Sequence, residues 1–588
     1  MDRRAAPSAW KRLVPLAVLL AAMTAGGVAA VATLGPRILD TDDLAWLLHG
    51  TLGPDPVAYL VAWTYFLRSP WLLPPGLNPD YGLDMSSAIF YVDAVPIGAF
   101  IAKLLEPVKE VGQYWGPWMA LCGALQAGLA WRLLGDHVRD PLARGLGAVL
   151  FAFQPMMLNR MGGHFQLVGQ WLLLWALWLC LRRDTPRQGL HWIACIGIAS
   201  VVNAYLLAMA GLLWSADWVG RTLREGPGLR RFVQAACVIS VAAAGLWLAG
   251  YFVLQGEIEA VGLRYGETQL DLTAPFDAVE WGRLLPVLPG LRHWEYGGSY
   301  LGAGTLLLLL VAALLLRPGD LGRALRRHAA PAVMLAAMLA YAVTNRPAFA
   351  GHEITLFELP AALQRLADML RSSERFFWPL GYALIAGAIA VAAARLSVLR
   401  LRLLLAGALL LQIVDVEAGM ASFRALAAAA PPVAEERLQD PIWDQLAERY
   451  ARLRAVPFVN EGPHWEELSR FAVSHGLPTD AIYLSRVDPA QAAAHNARLL
   501  AALGAGQWEP ETLYVLRDAA TEQLVAMHAD PLRDLLGMHD GMLVFAPGFL
   551  APAQPPVAIA ASARRAHAQL RGCVGAWRPG PARCPPRG

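Results

Sequence analysis

Charged side chains are scarce in this chain. Only 16% of its 588 residues are Asp, Glu, Lys or Arg, whereas about a quarter is usual in a soluble domain. Hydrophobic residues make up 56%, and the mean hydropathy is +0.40. The net charge of +3 is too small to indicate a nucleic-acid partner. The composition therefore excludes an ordinary soluble protein and indicates a membrane protein.

The sequence also lacks the short motifs of several enzyme classes. It has no P-loop, no His/Cys spacing typical of zinc, and no G-x-S-x-G turn. There are only six cysteines. Cys573 and Cys584 lie in the polar C-terminal tail and could form a disulfide if the tail is outside the cytoplasm; the sequence leaves this open. The other four lie in apolar blocks, where a buried structural role is expected: Cys122, Cys180, Cys195 and Cys237.

Long apolar blocks are abundant. A helix of roughly 20 residues crosses a hydrocarbon layer of ~30 Å. We interpret the block 190–216, which has arginines on both sides, as a hairpin of two short helices turning near Asn203. Residues 88–105 are interrupted by charge and proline, and are predicted to form an amphipathic helix on the outer membrane surface. The candidate spans are 13–34, 114–133, 145–159, 165–181, 190–216, 232–254, 301–316, 329–344, 376–394 and 401–417.

The positions of the arginines predict the orientation in the membrane. Cytoplasmic loops carry an excess of Lys and Arg. Placing every basic loop in the cytoplasm gives about eleven transmembrane helices, with the N-terminus inside and the C-terminus outside. The loop 35–113 and the chain after about residue 418 are then extracytoplasmic. The basic loops are 3–12, 132–144, 182–187, 221–231, 317–327 and 395–402.

A change of composition near residue 425 predicts a second domain. Amphipathic stretches (443–453, 465–475 and 489–503) alternate with strand-like runs (456–459, 482–487, 512–516 and 541–545), a pattern that indicates a small α/β domain. The fold class is thus mainly α, a polytopic helical membrane protein with a small extracytoplasmic α/β domain. The predicted divisions are a membrane domain 1–420, a linker 421–430, the α/β domain 431–560 and a disordered tail 561–588.

Acidic residues are concentrated in the first outer loop. Asp42 and Asp43 follow the first helix, and Asp55 and Asp93 come later in the same loop. Paired acids near a membrane surface can hold a divalent cation or act as a general base. The alternative is a structural one, because Asp is also favoured at helix starts.

Several arginines and one histidine are predicted on the same outer side. Arg68 lies among aromatic residues, Arg160 and His164 lie in a short outer turn, and Arg371 and Arg375 precede the span 376–394. Arginine can grip a phosphate bidentately. Interfacial anchoring or structural ion pairing are the competing explanations.

Five segments together resemble a family of bacterial membrane proteins similar to the GT-C superfamily, the multi-span glycosyltransferases that use polyprenyl-phosphate-linked sugars. The resemblance covers about residues 35–420. The segments are AWTYFLRSPW at 62–71 with the preceding Asp55, PPGLNPDYG at 74–82, SSAIFYVDAVP at 86–96, Arg160 with Gly163 and His164, and RSSERFFWP at 371–379.

The resemblance implies a GT-C-like architecture and an activity. A sugar would pass from a polyprenyl-phosphate donor to a glycan or lipid acceptor of the cell envelope on the extracytoplasmic side. Asp42, Asp43 or Asp55 would be the base, in some relatives with a divalent cation, for which Asp42 and Asp43 would be the ligands. The substrate-binding residues would be Arg68, Asp93, Arg160, His164, Arg371 and Arg375.

Two other functions remain open from the sequence. One is a transporter or flippase for lipid-linked glycans, and the other is a non-catalytic envelope assembly protein. A transporter is expected to carry polar or broken segments inside its spans, and the predicted spans contain few. The expected location is a bacterial inner membrane, in contact with membrane lipids.

Overall fold

The structure is a computed structural model. It describes residues 9–551, apart from residues 86, 93, 107–110, 183–184, 186, 255–258, 261–262, 294–297 and 432–436. Asp93, the tail 561–588, Cys573 and Cys584 lie outside the described residues.

The first part of the chain is a helical domain. Five 3-10 segments interrupt it, at Pro36–Leu39, Asn159–Gly162, Phe165–Val168, Tyr251–Val253 and Ser373–Phe377. Its helices are α1 Ala9–Leu34, α2 Ala45–Leu48, α3 Asp55–Arg68, α4 Pro96–Leu105, α5 Trp115–Leu134, α6 Pro141–Ala152, α7 Pro155–Leu158, α8 Trp171–Leu181, α9 Gln188–Ser200, α10 Ala204–Glu225, α11 Leu229–Ala249, α12 Ala303–Leu315, α13 Asp320–Arg327, α14 Ala329–Val343, α15 Ala361–Asp368, α16 Trp378–Arg395 and α17 Val398–Ala429.

Several of these helices have the length and the apolar composition of membrane spans. Within the described residues, four helices are long and apolar enough to cross one, or up to six if each bent helix pair counts as one span. The chain is therefore a membrane protein, but the eleven predicted spans are not confirmed. Helices such as α12 and α14, of 13 and 15 residues, extend only about 20–23 Å at 1.5 Å per residue, less than a hydrocarbon layer.

Two local predictions can be compared with the backbone. The predicted break at Asn203 is confirmed: α9 ends at Ser200, and the Asn203 side chain accepts a hydrogen bond from the Tyr205 N–H as the N-cap of α10. The predicted surface helix 88–105 is wrong in its first half. Among the described residues of this stretch, only those of α4 are helical. The chain enters α4 through Val95 at φ +52°, just before Pro96, and neither residue type there suits a continuous helix.

Close helix packing organises the core of the helical domain. Where α1 crosses α5, a Cβ atom built on Gly26 would stand 2.2 Å from the Gly123 carbonyl oxygen, so only glycine allows this approach. The buried Asp415 of α17 also stabilises this core. Its carboxylate accepts hydrogen bonds from the Tyr300 hydroxyl and from the Ala303 N–H at the start of α12. Asp415 therefore has a structural role, since it caps another helix.

The C-terminal domain is a small α/β unit, as predicted. Its sheet has four strands, of which the first two are parallel and the other neighbours antiparallel. Their order across the sheet is β4 (Arg452–Val456), β6 (Thr512–Leu516), β8 (Met542–Ala546) and β7 (Leu535–His539). α17 runs to Ala429, so the stretch predicted as a linker at 421–430 is almost entirely helical. The elements are α18 Ile442–Arg449, β4 Arg452–Val456, α19 Trp465–His475, β5 Arg486–Val487, α20 Pro489–Gly504, β6 Thr512–Leu516, α21 Ala519–Ala526, β7 Leu535–His539 and β8 Met542–Ala546.

Three short strands lie earlier in the chain: β1 Glu259–Ala260, β2 Ala348–Phe349 and β3 His352–Glu353. β2 pairs with β3, and β1 pairs with β5 of the C-terminal domain. The loop between α3 and α4 also reaches that domain, because the N–H of Gly82 donates to the carbonyl of Thr479 at 2.8 Å. The two domains are therefore joined by backbone hydrogen bonds from two loops of the helical domain.

A network of charges around the buried Arg454 completes this junction. Arg454 of β4, 4% exposed, pairs with Asp480 and Glu509 of its own domain and with Asp84 of the loop between α3 and α4, at 3.0, 2.6 and 2.8 Å. Burial raises the pKa of Asp84, but the hydrogen bond and the charge of Arg454 outweigh it and hold that pKa below its usual value. An ionised Asp84 thus adds an ion pair to the backbone hydrogen bonds between the domains.

Candidate functional site

Asp55 and His164 form the core of the candidate site. Asp55 is the first residue of α3, where the helix dipole favours a negative charge. His164 Nε2 lies 3.6 Å from Asp55 Oδ2, and each side chain is 25% exposed. The structure therefore brings two of the predicted residues together, with both side chains partly exposed.

The turn that carries His164 is hydrogen-bonded to α3. Tyr59 lies one helical turn after Asp55 and donates its hydroxyl proton to the carbonyl of Gly163 at 2.7 Å. The N–H of His164 donates to the carbonyl of Arg160 at 2.9 Å. Asp55 and Tyr59 share a helix face, so the same face of α3 contacts the turn twice.

Gly163 is needed for this geometry. Its φ is +143°, and a Cβ atom there would stand 3.2 Å from the Leu52 carbonyl oxygen. We expect Gly163→Ala to strain the turn by about 1–3 kcal/mol and to displace His164 from Asp55. A displacement of about 1 Å can cost roughly 100-fold in rate. The prediction is a lower thermal midpoint together with a lower kcat in a sugar-transfer assay.

Gly407→Ala is the matched control. Gly407 lies inside α17, and nothing stands within 4 Å of a Cβ atom there. Alanine in a helix interior is better than glycine by up to about 1 kcal/mol, so this variant should keep wild-type activity and stability. Equal behaviour of the two alanine variants would show that the Gly163 turn is not required.

Arg160 connects this pair to a second region. Its side chain is buried, and its guanidinium lies 5.8 Å from the ring centre of Trp378. Trp378 is the first residue of α16 and directly follows the 3-10 segment that contains Arg375. Arg160 thus contacts a residue three positions after Arg375 in the chain.

Arg371 and Arg375 form a buried cationic cluster around Tyr205. The guanidinium of Arg375 lies 4.5 Å from the Tyr205 ring centre. The Tyr205 hydroxyl accepts a hydrogen bond from the Ser372 N–H at 3.1 Å, and Arg371 donates to the carbonyl of Leu263 at 2.9 Å. Both arginines are less than 10% exposed.

A third arginine comes from the C-terminal domain. Burial lowers the pKa of Arg371, and the positive charges of Arg486 and Arg375 lower it further. Arg486 is in β5, next to Ser485, whose N–H donates to the carbonyl of Tyr91 at 2.8 Å. Sequence reasoning missed Arg486, because nothing local marks it and only the docking of the C-terminal domain brings it here.

An apolar groove of about 850 Å³ adjoins the cationic cluster. It lies among α9, α10, α11, α14 and α15, and its walls are almost entirely apolar. Leu370 and Phe376 line it, and each is the chain neighbour of one arginine of the cluster. Other lining residues are Leu207, Leu212, Val238, Leu246, Met334 and Met338.

The remaining candidate acids lie apart from these residues. Both oxygens of Asp43 accept hydrogen bonds from Arg37, at 2.7 and 3.0 Å. The same Arg37 donates to the carbonyls of Ala427 and Ala430 at the end of α17. Asp42 is exposed. Asp43 therefore orients Arg37, which binds the end of α17. In the contacts described, neither Asp42 nor Asp43 touches Asp55.

Arg68 has a docking contact. It donates to the carbonyl of Val473 near the end of α19, and the Tyr65 hydroxyl, one turn earlier, donates to the carbonyl of Leu477. Burial lowers the pKa of Arg68. This arginine therefore helps to hold the C-terminal domain on α3. A substrate-binding role for Arg68 stays a prediction, as does any role for Asp93.

A divalent cation does not suit Asp42 and Asp43. Hard cations such as Mg²⁺ and Ca²⁺ need several free oxygen ligands, and Arg37 engages both oxygens of Asp43. Among the residues that the structure describes, no group of three or more His, Cys, Asp or Glu could hold a metal ion. We therefore derive no chemical step through a metal.

Comparisons with known proteins identify the family. The family model DUF6311, described as a domain of unknown function, matches residues 4–417. The model of the DUF6311 C-terminal domain matches residues 442–547. The chain therefore belongs to the DUF6311 family. No curated protein matches it.

One solved structure with a low similarity is an archaeal oligosaccharyltransferase, AglB from Archaeoglobus fulgidus, in complex with an inhibitory peptide and a dolichol-phosphate. Its sequence identity is 12% and its TM-score 0.39, over 87% of this chain and 70% of that chain. This TM-score is too low to carry an argument about activity, so the GT-C-like architecture stays a prediction.

Proposed function

We propose that this member of the DUF6311 family is a membrane glycosyltransferase, which transfers a sugar from a polyprenyl-phosphate donor to a cell-envelope acceptor on the extracytoplasmic side. The observation that carries the proposal is the junction of the apolar groove with the arginine cluster at Arg371 and Arg375. A polyprenyl phosphate has the matching chemistry, a long apolar chain that ends in an anion.

Electrostatics favours an anion at this junction. Burying a cation is costly, and burial together with the positive charges of Arg486 and Arg375 lowers the pKa of Arg371. A donor phosphate between Arg371, Arg375 and Arg486 would offset it. Guanidinium groups also match phosphate geometry bidentately. The prenyl chain would lie along Leu370 and Phe376 in the apolar groove.

Asp55 is the base in this proposal. It takes the proton from the acceptor hydroxyl, whose oxygen forms the new glycosidic bond at the sugar's anomeric carbon. The bond from that carbon to the donor phosphate oxygen breaks, and its electron pair stays on the lipid phosphate. The arginines then stabilise the added negative charge. His164, 3.6 Å from Asp55, orients the carboxylate.

Purified full-length protein in proteoliposomes tests the proposal. We expect it to transfer label from at least one member of a panel of polyprenyl-phosphate sugars to extracted envelope glycan. Arg375→Gln should raise the donor KM by about 10- to 100-fold, because a charge-assisted hydrogen bond contributes about 1.5–3 kcal/mol. Arg264→Gln is the control, since the Arg264 side chain is 65% exposed in the same outer region.

Three other results would contradict parts of the proposal. Absence of transfer with every donor, for a protein that is folded and binds the lipid, would overturn the glycosyltransferase proposal. Movement of the intact lipid-linked sugar between leaflets would then indicate the flippase alternative. An Arg375→Gln variant that keeps the wild-type donor KM would remove the arginine cluster from the donor site.

A further inference from the structure

A cationic cavity lies at the C-terminal end of α10, whereas the arginine cluster lies around Tyr205 at its N-terminal end. It has a volume of about 230 Å³ and is enclosed by the end of α8, the end of α10 and the junction of α13 with α14. From Tyr205 to Arg221 is 16 residues of helix, or ~24 Å at 1.5 Å per residue, so this cavity is separate from the donor site. Its polar lining consists of Arg182, Asp217, Arg221, Arg224, Glu225, Arg327 and His328.

Positive charge exceeds negative charge in this cavity. Four arginines face two acids among the lining residues, which gives a formal charge of +2 (4 − 2). Both acids are already engaged: Asp217 accepts hydrogen bonds from Arg221 at 2.7 Å and from the Trp192 indole at 2.8 Å, and Glu225 pairs with Arg231. Burial and the charge of Arg327 lower the pKa of His328, with His137 and Arg224 adding to the effect. The cavity therefore favours an anion.

The cavity stands beside an apolar surface. α13 is bent by 108° from α12, so it runs across the direction of that helix. Leu321 and Leu325 of α13 are 62% and 48% exposed, and Leu223 of α10 is 80% exposed. A helix with basic and apolar residues that lies across the end of a membrane helix is typical of the membrane interface.

We propose that this cavity binds the phosphate headgroup of an anionic phospholipid from the leaflet on the α13 side. The phosphate lies between Arg224, Arg327 and the Asp217-supported Arg221, and the acyl chains lie along the exposed leucines of α10 and α13. A soluble phosphate would use the arginines but gain nothing from the leucines. Basic pockets between membrane helices commonly hold acidic headgroups.

Native mass spectrometry of the full-length protein in neutral detergent tests this inference. The probes are phosphatidylglycerol, phosphatidylcholine of the same chain length and inorganic phosphate. We expect phosphatidylglycerol to bind about 10-fold or more tightly than phosphatidylcholine, since each basic residue near a membrane surface contributes about 1 kcal/mol. The double variant Arg224→Gln with Arg327→Gln should lose this preference. Both side chains are exposed, so the fold should not change.

Arg326→Gln is the matched control. Arg326 is exposed on the same helix but does not line the cavity, so its variant should keep the preference for phosphatidylglycerol. Equal binding of the two lipids by the wild type would overturn the inference, and so would a preference that survives the double substitution. Binding of inorganic phosphate as tight as that of phosphatidylglycerol would also overturn it, in favour of a soluble anion.

Discussion

Asp55→Asn should lower kcat for sugar transfer by about 100- to 10,000-fold, the range that a general base contributes. Asparagine has nearly the same shape and fills the same place at the start of α3, but it cannot accept the acceptor's proton. The donor KM should change little, because the donor phosphate is held by the arginine cluster in this account. The measurement is steady-state transfer of labelled sugar by the purified variant, with its thermal midpoint recorded beside the wild type.

Asp42→Asn is the control for this substitution. Asp42 is an exposed acid of the same loop, so its variant should keep wild-type kcat. If Asp55→Asn retains full activity while Asp42→Asn loses it, the base is misassigned. If both variants are fully active, neither Asp42 nor Asp55 is the base.

Arg454→Met should destabilise the C-terminal domain by roughly 3–5 kcal/mol, which is typical when one partner of a buried ion pair is removed. Asp480 is fully buried and accepts hydrogen bonds from Arg454 and from the Ala455 N–H. Without the arginine, the Asp480 carboxylate remains in the core and loses one of its hydrogen-bond donors. The substitution also removes the ion pair with Asp84, which joins the two domains.

Limited proteolysis of the full-length protein measures this effect. Cleavage of a transiently opened domain follows the population of the open state, so release of C-terminal fragments should become at least about 100-fold faster. Arg452→Met is the control: Arg452 lies in the same strand but is 43% exposed and 3.7 Å from Glu509, and an exposed pair contributes at most about 1 kcal/mol. Similar cleavage rates for both variants would contradict the structural role given to Arg454.

Periodic patterns in the sequence predicted much of the fold. The stretch 465–475 was predicted as amphipathic and is α19 in full, because Gly476 at φ +68° ends the helix. Apolar composition predicted membrane helices but not their number. The helices α12 and α14 nearly fill the blocks 301–316 and 329–344 that predicted them, but those blocks are themselves shorter than the roughly 20 residues that cross a hydrocarbon layer.

The errors fall where tertiary contacts decide the local structure. The stretch 421–430 is rich in alanine and was predicted as a linker. It is helical through residue 429, because alanine favours helix and Arg37 binds the carbonyls at the end of α17. The strand β7 at Leu535–His539 was missed, since its burial alternates only weakly.

In the candidate site too, tertiary contacts decide what the sequence could not. The family resemblance left Asp42, Asp43 and Asp55 as equal candidates for the base. The structure distinguishes them by their partners: Asp43 is engaged by Arg37, whereas Asp55 faces His164. Arg486 could not be anticipated, because its approach to Arg371 depends on how the C-terminal domain docks.

Thiol labelling in intact cells tests the sidedness on which the account rests. The reporters are Asp42→Cys in the outer loop and Arg323→Cys on α13, whose side chain is 73% exposed, in a chain that lacks Cys237, Cys573 and Cys584. A membrane-impermeant maleimide should label Asp42→Cys in intact cells and Arg323→Cys only after permeabilisation. The reverse pattern would place the Asp55 site in the cytoplasm and contradict extracytoplasmic sugar transfer.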